Sequence, residues 1–225
     1  MRIRIVIALI LTTLIMGGCG VSDDDGSNQS SGNGNQNEVE SKPDVAAFND
    51  QFTENFLIST EPVREGYYPF KSEIGTITMD FPENMVVGEK SHQIADGNRG
   101  EMFEISSADM NSKVFTNHLF KYFNFTREIK YTKESMAGST GEELDFKTMD
   151  TGISNQYTEI AEYQDGADEF LATLVWNDNH QEIQVFTNMT CRDDLNEDEC
   201  KKEQEKAKQS ALEILKTIKI LPEEE

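Results

Sequence analysis

Apolar and polar positions alternate most regularly in the second half of the chain. Residues 157–163 and 170–176 both alternate, and Asp165-Gly166 lies between them. Two alternating segments joined by an Asp-Gly pair are typical of a β-hairpin. Residues 183–187 continue the alternation, so the sequence predicts an antiparallel meander of three strands.

Shorter alternating segments precede this meander. Residues 77–81 alternate and stop at Pro82, and residues 101–106 alternate after a polar loop. Between them, Val86-Val87 is predicted to start a strand that pairs with residues 77–81.

The stretch from residue 127 to residue 149 is predicted to contain no helix. Residues 127–132 and 143–149 are interpreted as extended, because apolar and β-branched side chains alternate in them. Residues 136–141 lie between them and are interpreted as a loop, because small residues and two glycines fill this segment.

Apolar residues at helical spacing predict three helices. The first is marked by Phe48, Phe52 and Phe56. The second begins at Asn111 or Ser112 and is marked by Phe115, Leu119 and Tyr122 or Phe123. The third runs from Glu197 to about Thr217 and is marked by Ala207, Ala211, Ile214, Leu215 and Ile218. Residues 219–221 then predict a short edge strand.

These elements predict an α+β fold, with helices packed on an antiparallel sheet. We expect one globular domain over residues 43–225. The closing hairpin, long helix and short final strand are similar to the α/β/α sandwich of the PsbP and Mog1 families. This similarity of element order covers about the last seventy residues. It implies a non-catalytic accessory or binding protein.

The N-terminus follows a different pattern. Arg2 and Arg4 precede an apolar stretch over residues 5–16, which is short for a membrane-spanning helix and typical of a signal peptide. The residues that follow, Met16-Gly17-Gly18-Cys19, resemble the lipobox of bacterial lipoproteins of the Bacillus type, although the motif usually has Leu where Met16 stands.

The lipobox resemblance implies that the chain is cleaved between Gly18 and Cys19, which removes residues 1–18 as the signal peptide. It also implies that Cys19 carries diacylglycerol and fatty acyl chains such as palmitate. Two or more acyl chains hold a protein stably at a membrane. The alternatives are an ordinary secreted protein that is cut elsewhere, with Cys19 free or in a disulfide, and an uncleaved membrane anchor.

Residues 19–42 contain almost no large apolar side chain and are rich in Ser, Gly, Asn and Asp. Such a segment cannot bury enough apolar surface to offset the entropy lost on ordering. We therefore predict a lipidated, flexible tether that keeps the domain close to the extracytoplasmic face of the cell membrane.

The chain is strongly acidic, with 42 acidic and 20 basic residues and a formal net charge of −22. This charge repels phosphate backbones and anionic lipid headgroups. Nucleic acid is therefore excluded as a partner, and the membrane is expected to be contacted through the lipid anchor. The partner class that remains is a protein or a small ligand.

The chain has three cysteines. With Cys19 lipidated, Cys191 and Cys200 form an even pair in an exported protein, and we predict a disulfide between them. The alternative is two free thiols.

The sequence contains no recognisable catalytic or metal-binding motif. Asp194, Asn196, Asp198 and Glu205 match positions of an EF-hand loop, but Glu199 stands where that loop requires Gly. Ser139 lacks the spacing of a serine hydrolase.

His92, His118 and His180 are each expected in surface or packing roles, and Trp176 in the core rather than as a ligand platform. We therefore predict no catalytic residue, no metal site and no cofactor. The expected function is a membrane-anchored binding or accessory lipoprotein of unknown specificity. The alternative is a cell-envelope hydrolase that uses two carboxylates.

Overall fold

The computed structural model describes residues 42–222. Gly18, Cys19 and the predicted tether up to residue 41 lie outside the described residues. The helices are α1 (Ala46–Asn49), α2 (Gln51–Glu54), α3 (Ile129–Thr140) and α4 (Glu197–Leu215), and the strands are β1 (Tyr67–Lys71), β2 (Ile77–Pro82), β3 (Met85–Val87), β4 (Gln93–Ile94), β5 (Gly100–Ser107), β6 (Val114–Phe123), β7 (Lys147–Thr148), β8 (Gln156–Asp165), β9 (Asp168–Asn177), β10 (Glu182–Cys191) and β11 (Lys219–Ile220).

The strands form two sheets, and every pair is antiparallel. The larger sheet has the order β3-β5-β6-β10-β9-β8-β7, with β4 also paired to β5, and the smaller has the order β1-β2-β11. The meander predicted from the alternation is confirmed as β8, β9 and β10. The short edge strand after the last helix is confirmed as β11, which pairs with β2.

The main core lies between the larger sheet on one side and the smaller sheet with α4 on the other. Its fully buried side chains come from both sheets and from α4, and include Phe70, Phe81, Phe103, Phe120 and Leu215. Helix α3 packs on the opposite face of the larger sheet, where Met136 contacts a second cluster with Ala172 and Leu174. The structure is thus the predicted α+β fold, with helices on both faces of the larger sheet.

Polar contacts hold α4 in place. The Asn196 side chain accepts a hydrogen bond from the Glu199 amide at 3.0 Å and caps the helix. Buried Gln204 donates to the carbonyls of Ala167 and Met189 at 2.8 and 3.0 Å. A buried amide with two good partners fixes the helix position, because moving the helix would leave the buried Gln204 amide group unpaired.

Lys208 adds an ion-pair network on the same helix. Its ammonium group donates to Glu169 at 2.8 Å and to Glu162 at 3.2 Å, and it lies 3.3 Å from Glu205. Burial by itself would lower the pKa of Lys208, but the hydrogen bonds to Glu169 and Glu162 outweigh it and raise the pKa above its usual range.

The helix predicted to begin near Asn111 is wrong, because residues 114–123 form strand β6. Every second residue from Val114 to Tyr122 is buried, but two of these inward positions are Thr116 and His118. Polar residues at buried positions concealed the two-residue period.

The prediction of no helix between residues 127 and 149 is also wrong. Residues 129–140 form α3, which ends at Gly141 with a φ of 75°, a common helix terminus. Only Thr132 and Met136 are fully buried on this helix, so its apolar stripe was too narrow to recognise. The predicted strand over residues 143–149 shortens to β7.

Two smaller predictions also differ from the structure. The first predicted helix is two short helices, because Asp50 adopts an extended conformation between them and caps α2 by accepting from the Thr53 amide at 2.8 Å. Val86 and Val87 lie in a strand, but this strand pairs with β5 in the larger sheet and not with residues 77–81.

Candidate functional site

A cleft of about 840 Å³ lies beside the turn that joins β1 to β2. Segments that are distant in sequence border it, chiefly the chain after α2, the β1–β2 turn over residues 72–76 and the loop before β5, with Asn124 and Pro222 beside them. Asn98 in that loop has a φ of 55°, a left-handed conformation that Asn tolerates better than most residues. Because the bordering segments are far apart in sequence, the cleft forms only when the tertiary fold brings them together.

The lining of the cleft is mixed in chemistry and balanced in charge. The apolar part is Phe52, Phe56, Leu57, Ile58 and Ile74, and the hydrogen-bonding part is Asn55, Asn98, Asn124, Ser72 and Thr76. Lys71 and Glu73 contribute one charge of each sign. In a chain with a net charge of −22, a lining of balanced charge favours a ligand that is polar but uncharged.

Glu101 at the start of β5 holds the β1–β2 turn in place. Its side chain is fully buried, and its carboxylate accepts hydrogen bonds from the amides of Glu73 at 3.0 Å and Ile74 at 3.4 Å. His92 Nε2 lies 3.1 Å from the same carboxylate. The His92 and Phe56 rings meet edge to face, with their centroids 5.5 Å apart. This wall of the cleft is thus preorganised by a buried carboxylate.

Thr76 provides a hydrogen-bonding group that the fold itself does not use. The residue is 5% exposed, and its Oγ1 atom has no hydrogen-bond partner within residues 42–222. A buried hydroxyl without a partner costs about 1–3 kcal/mol. Thr76 is one of the residues that line the cleft.

Among residues 42–222, the three histidines do not form a nucleophile–base pair with a serine. His92 Nε2 faces the carboxylates of Glu101 and, at 3.6 Å, Glu73. His118 is buried on β6, where its Nδ1 atom lies 2.8 Å from Thr187 Oγ1. His180 is exposed in the turn after β9.

Ser139, predicted in a loop, lies in α3 and donates to the Ser135 carbonyl at 2.9 Å. The two carboxylates nearest the cleft also have different environments: Glu101 is committed to backbone amides, whereas the Glu73 side chain is 57% exposed. The two-carboxylate arrangement of a hydrolase is therefore not formed by this pair.

The acidic residues that resemble an EF-hand lie at the start of α4. Asn196 is its N-cap, Asp194 pairs with Arg192 at 3.1 Å, and Asp198 and Glu205 are within the helix. Among the described residues, no three or more His, Cys, Asp or Glu side chains are grouped to hold a metal ion. Cys191 and Cys200 are joined by a disulfide, with their Cα atoms 5.7 Å apart.

No residue of the cleft was predicted from the sequence as part of a site. Gly97 and Asn98 lie in the polar loop predicted before residues 101–106, whereas the β1–β2 turn was not singled out. Nothing in the sequence, however, indicated that these loops meet, because their proximity depends on the pairing of β1 with β2 and of β5 with β6.

The fold and the cleft define a class of protein: an α+β domain with a surface cleft. Comparison with known families then assigns the chain. It belongs to the family described as "Putative lipoprotein YvcA", which also carries the name of Mog1p and whose model matches residues 43–219. This lipoprotein family agrees with the lipobox resemblance and with the similarity to Mog1 sandwiches.

Two individual similarities accompany the family match. The chain is 26% identical over 169 residues to the "Putative lipoprotein YvcA" of Bacillus subtilis (strain 168), which covers 70% of this chain and 68% of that protein. A crystal structure from Bacteroides thetaiotaomicron VPI-5482, at 1.50 Å resolution, is 14% identical with a TM-score of 0.37. That match covers 72% of this chain and about half, 51%, of the other.

Across residues 42–222, none of the helices combines the length and the hydrophobicity needed to cross a lipid bilayer.

Proposed function

We propose that this chain is a lipid-anchored extracytoplasmic binding protein, and that the cleft beside the β1–β2 turn receives its ligand. Membership of a lipoprotein family and the lipobox residues ending at Cys19 support the anchor. In this proposal the acyl chains on Cys19 hold the protein at the outer face of the cell membrane, and the acidic tether separates the domain from the lipid headgroups.

The observation that carries the binding role is the unpaired hydroxyl of Thr76 in a preorganised cleft. Binding sites place a few hydrogen-bonding groups among apolar walls, and a rigid wall avoids the entropy cost of ordering on binding. Glu101 supplies that rigidity by fixing the amides of Glu73 and Ile74. We infer a small, uncharged ligand that accepts or donates several hydrogen bonds, bound without chemical conversion.

The variant Thr76→Val separates binding from folding. Valine has the shape of threonine without the hydroxyl, so the free energy of unfolding should stay the same or rise by about 1 kcal/mol. Ligand affinity should fall at least fivefold, because a hydrogen bond made only by the ligand is lost. Denaturant unfolding measures the first quantity and a binding titration the second.

The ligand can be sought in the small-molecule extract of the bacterial cell envelope, with NMR of the full chain in detergent as the readout. The side-chain amide signals of Asn55, Asn98 and Asn124 should shift, whereas that of Asn49, which donates to Asp44 outside the cleft, should not. Introducing a charge at the rim with Ile58→Glu should abolish the shifts. The control Met110→Glu, at a still more exposed apolar residue away from the cleft, should not. A cleft whose signals are unmoved by every extract fraction contradicts the proposal.

A further inference from the structure

Most of the exposed apolar side chains in the described chain gather at one end of the larger sheet. Five residues paired in register across its strands mark this end: Gly100, Phe123, Glu182, Trp176 and Tyr157. We name it the cleft end, because the cleft residues Asn98 and Asn124 flank this row. Of the seven exposed large apolar side chains in residues 42–222, five lie at or beside the cleft end: Ile58, Ile94, Phe125, Tyr131 and Tyr157.

Three of these five side chains lie on the loops around the cleft. Ile94 pairs with Glu101 at the start of β5. Phe125 follows β6 and packs edge to face on Phe123, with the ring centroids 6.2 Å apart. Ile58 lines the cleft itself and is 60% exposed.

The two tyrosines extend the apolar surface across the sheet. Tyr131 lies in the first turn of α3, which is held to the sheet where Thr132 donates to Glu182 at 3.0 Å. Tyr157 stacks on Trp176, with the ring centroids 5.4 Å apart, and remains 50% exposed. Trp176 is half-buried and packs on the apolar cluster under α3, so the predicted core role describes part of its environment.

Acidic residues gather at the opposite end of the sheet, about 30 Å away along the ten residues of β6. Residues 162–169 contain four acidic and no basic residues, and residues 192–199 contain five acidic residues and one basic. At the cleft end, the loops over residues 150–155 and 177–181 carry one acidic residue each. Three other loops there carry one charge of each sign: Lys71 with Glu73, Asp96 with Arg99, and Arg127 with Glu128.

This distribution of charge makes the two ends differ in their response to a lipid surface. The Debye length is about 8 Å at physiological ionic strength, so charges about 30 Å away are almost fully screened. The acidic end therefore does not prevent the cleft end from approaching a bilayer. Anionic headgroups repel the acidic end strongly and the cleft end weakly, which favours an orientation with the acidic end turned away.

The described chain also begins beside the cleft. Lys42 Nζ lies 2.7 Å from the carboxylate of Glu54 at the end of α2, and the next residue, Asn55, lines the cleft. The predicted tether up to residue 41 would span about 25–30 Å as a Gly-rich coil. A tether of this reach spaces the domain from the headgroups and still allows the cleft end to touch them.

We propose that the cleft end is the surface with which the domain contacts the lipid bilayer, while the acidic end points away from it. This inference rests on the lipid anchor proposed above. The exposed tyrosine, phenylalanine and isoleucine side chains enter the headgroup region, where amphipathic aromatic rings are favoured and apolar side chains leave water. The contact holds the cleft at the bilayer surface, where it receives its ligand.

The two turns that flank β9 report on this orientation. Asp178 lies in the turn at the cleft end and Asp165 at the acidic end, and both are exposed. The full lipidated chain with Asp178→Cys or Asp165→Cys is labelled with a thiol-reactive fluorophore. It is then reconstituted in vesicles of phosphatidylethanolamine and phosphatidylglycerol that contain a lipid with a nitroxide on its headgroup. The nitroxide should quench the label of Asp178→Cys about twofold more or better than that of Asp165→Cys, because the two turns lie about 30 Å apart.

Matched variants test whether the apolar side chains cause this orientation. Replacing Ile94, Phe125 and Tyr157 together by Ser should remove the difference between the two labels, and none of the three lines the cleft. Met110→Ser, at an exposed apolar residue before β6 at the acidic end, should preserve the difference.

Flotation of the vesicles separates the two proposals. Protein that does not float with the vesicles would contradict the anchor and this inference with it. Floating protein whose two labels are quenched equally, or whose Asp165→Cys label is quenched more, would overturn this inference alone. A difference that survives the triple Ser variant would overturn it as well.

Discussion

Acidification from pH 7 to pH 4 should lower the free energy of unfolding by about 3 kcal/mol through His118 alone. The His118 side chain is completely buried on β6, and its Nε2 atom has no hydrogen-bond partner within residues 42–222. Burial lowers the pKa of His118 from its usual 6.5 to about 4. The imidazole is thus neutral in the folded protein at neutral pH.

The sign of this effect follows from which state binds the proton first. Between pH 6.5 and about 4 the unfolded chain takes up a proton at His118, whereas the folded protein does not. Stability from His118 is therefore fully present above pH 6.5 and is lost as the pH falls toward 4.

Carboxylates also titrate in the acid range, so the His118 contribution is measured as a difference between variants. Between pH 7 and pH 4, the free energy of unfolding of the wild type should fall by about 3 kcal/mol more than that of His118→Leu. Denaturant unfolding of both proteins at each pH measures this difference. His180→Asn, which replaces an exposed histidine whose φ of 62° suits Asn, should run parallel to the wild type. A His118→Leu curve parallel to the wild type would contradict the buried, neutral assignment.

Loss of the disulfide between Cys191 and Cys200 should lower the free energy of unfolding by about 2–3 kcal/mol. The bond links the end of β10 to the first turn of α4 across a sequence separation of nine residues. Closing this short loop removes chain entropy from the unfolded state. Without the bond, the Asn196 cap of α4 remains. The amide protons in the first turn of α4 should nevertheless exchange with solvent faster, because the disulfide no longer holds this turn to β10.

The double variant Cys191→Ser, Cys200→Ser is the appropriate test, because a single substitution leaves a reactive thiol. Its unfolding free energy should match that of the reduced wild type, and a reductant should have no further effect on it. Two free thiols in the mass spectrum of the native protein, or a wild type insensitive to reductant, would contradict the prediction.

The sequence predicted those elements whose burial follows the periodicity of apolar residues. In β10 the buried positions alternate, and α4 carries a continuous apolar stripe, so the strand was recognised and the helix appeared with nearly correct limits. Strand β6 and helix α3 were wrong for one shared reason: polar residues occupy buried positions. His118 and Thr116 lie in the core, and Thr132 donates to the buried carboxylate of Glu182 at 3.0 Å.

The candidate sites could not be predicted because they depend on contacts between distant segments. Glu101 approaches the amides of Glu73 and Ile74 only after both sheets have formed. Tyr157 and Trp176 were visible as members of a predicted hairpin, but their register, and hence their stacking, depends on the turn between the strands. Residue type indicated possible chemistry, and tertiary structure determined where it is placed.

The most direct test of the lipoprotein account is metabolic labelling with palmitate, combined with mass spectrometry of the purified N-terminus. The wild type should carry the label on a chain that begins at Cys19, Cys19→Ala should carry none, and the double variant at Cys191 and Cys200 should keep it. An unmodified N-terminus in the wild type, or label that persists in Cys19→Ala, would contradict the account.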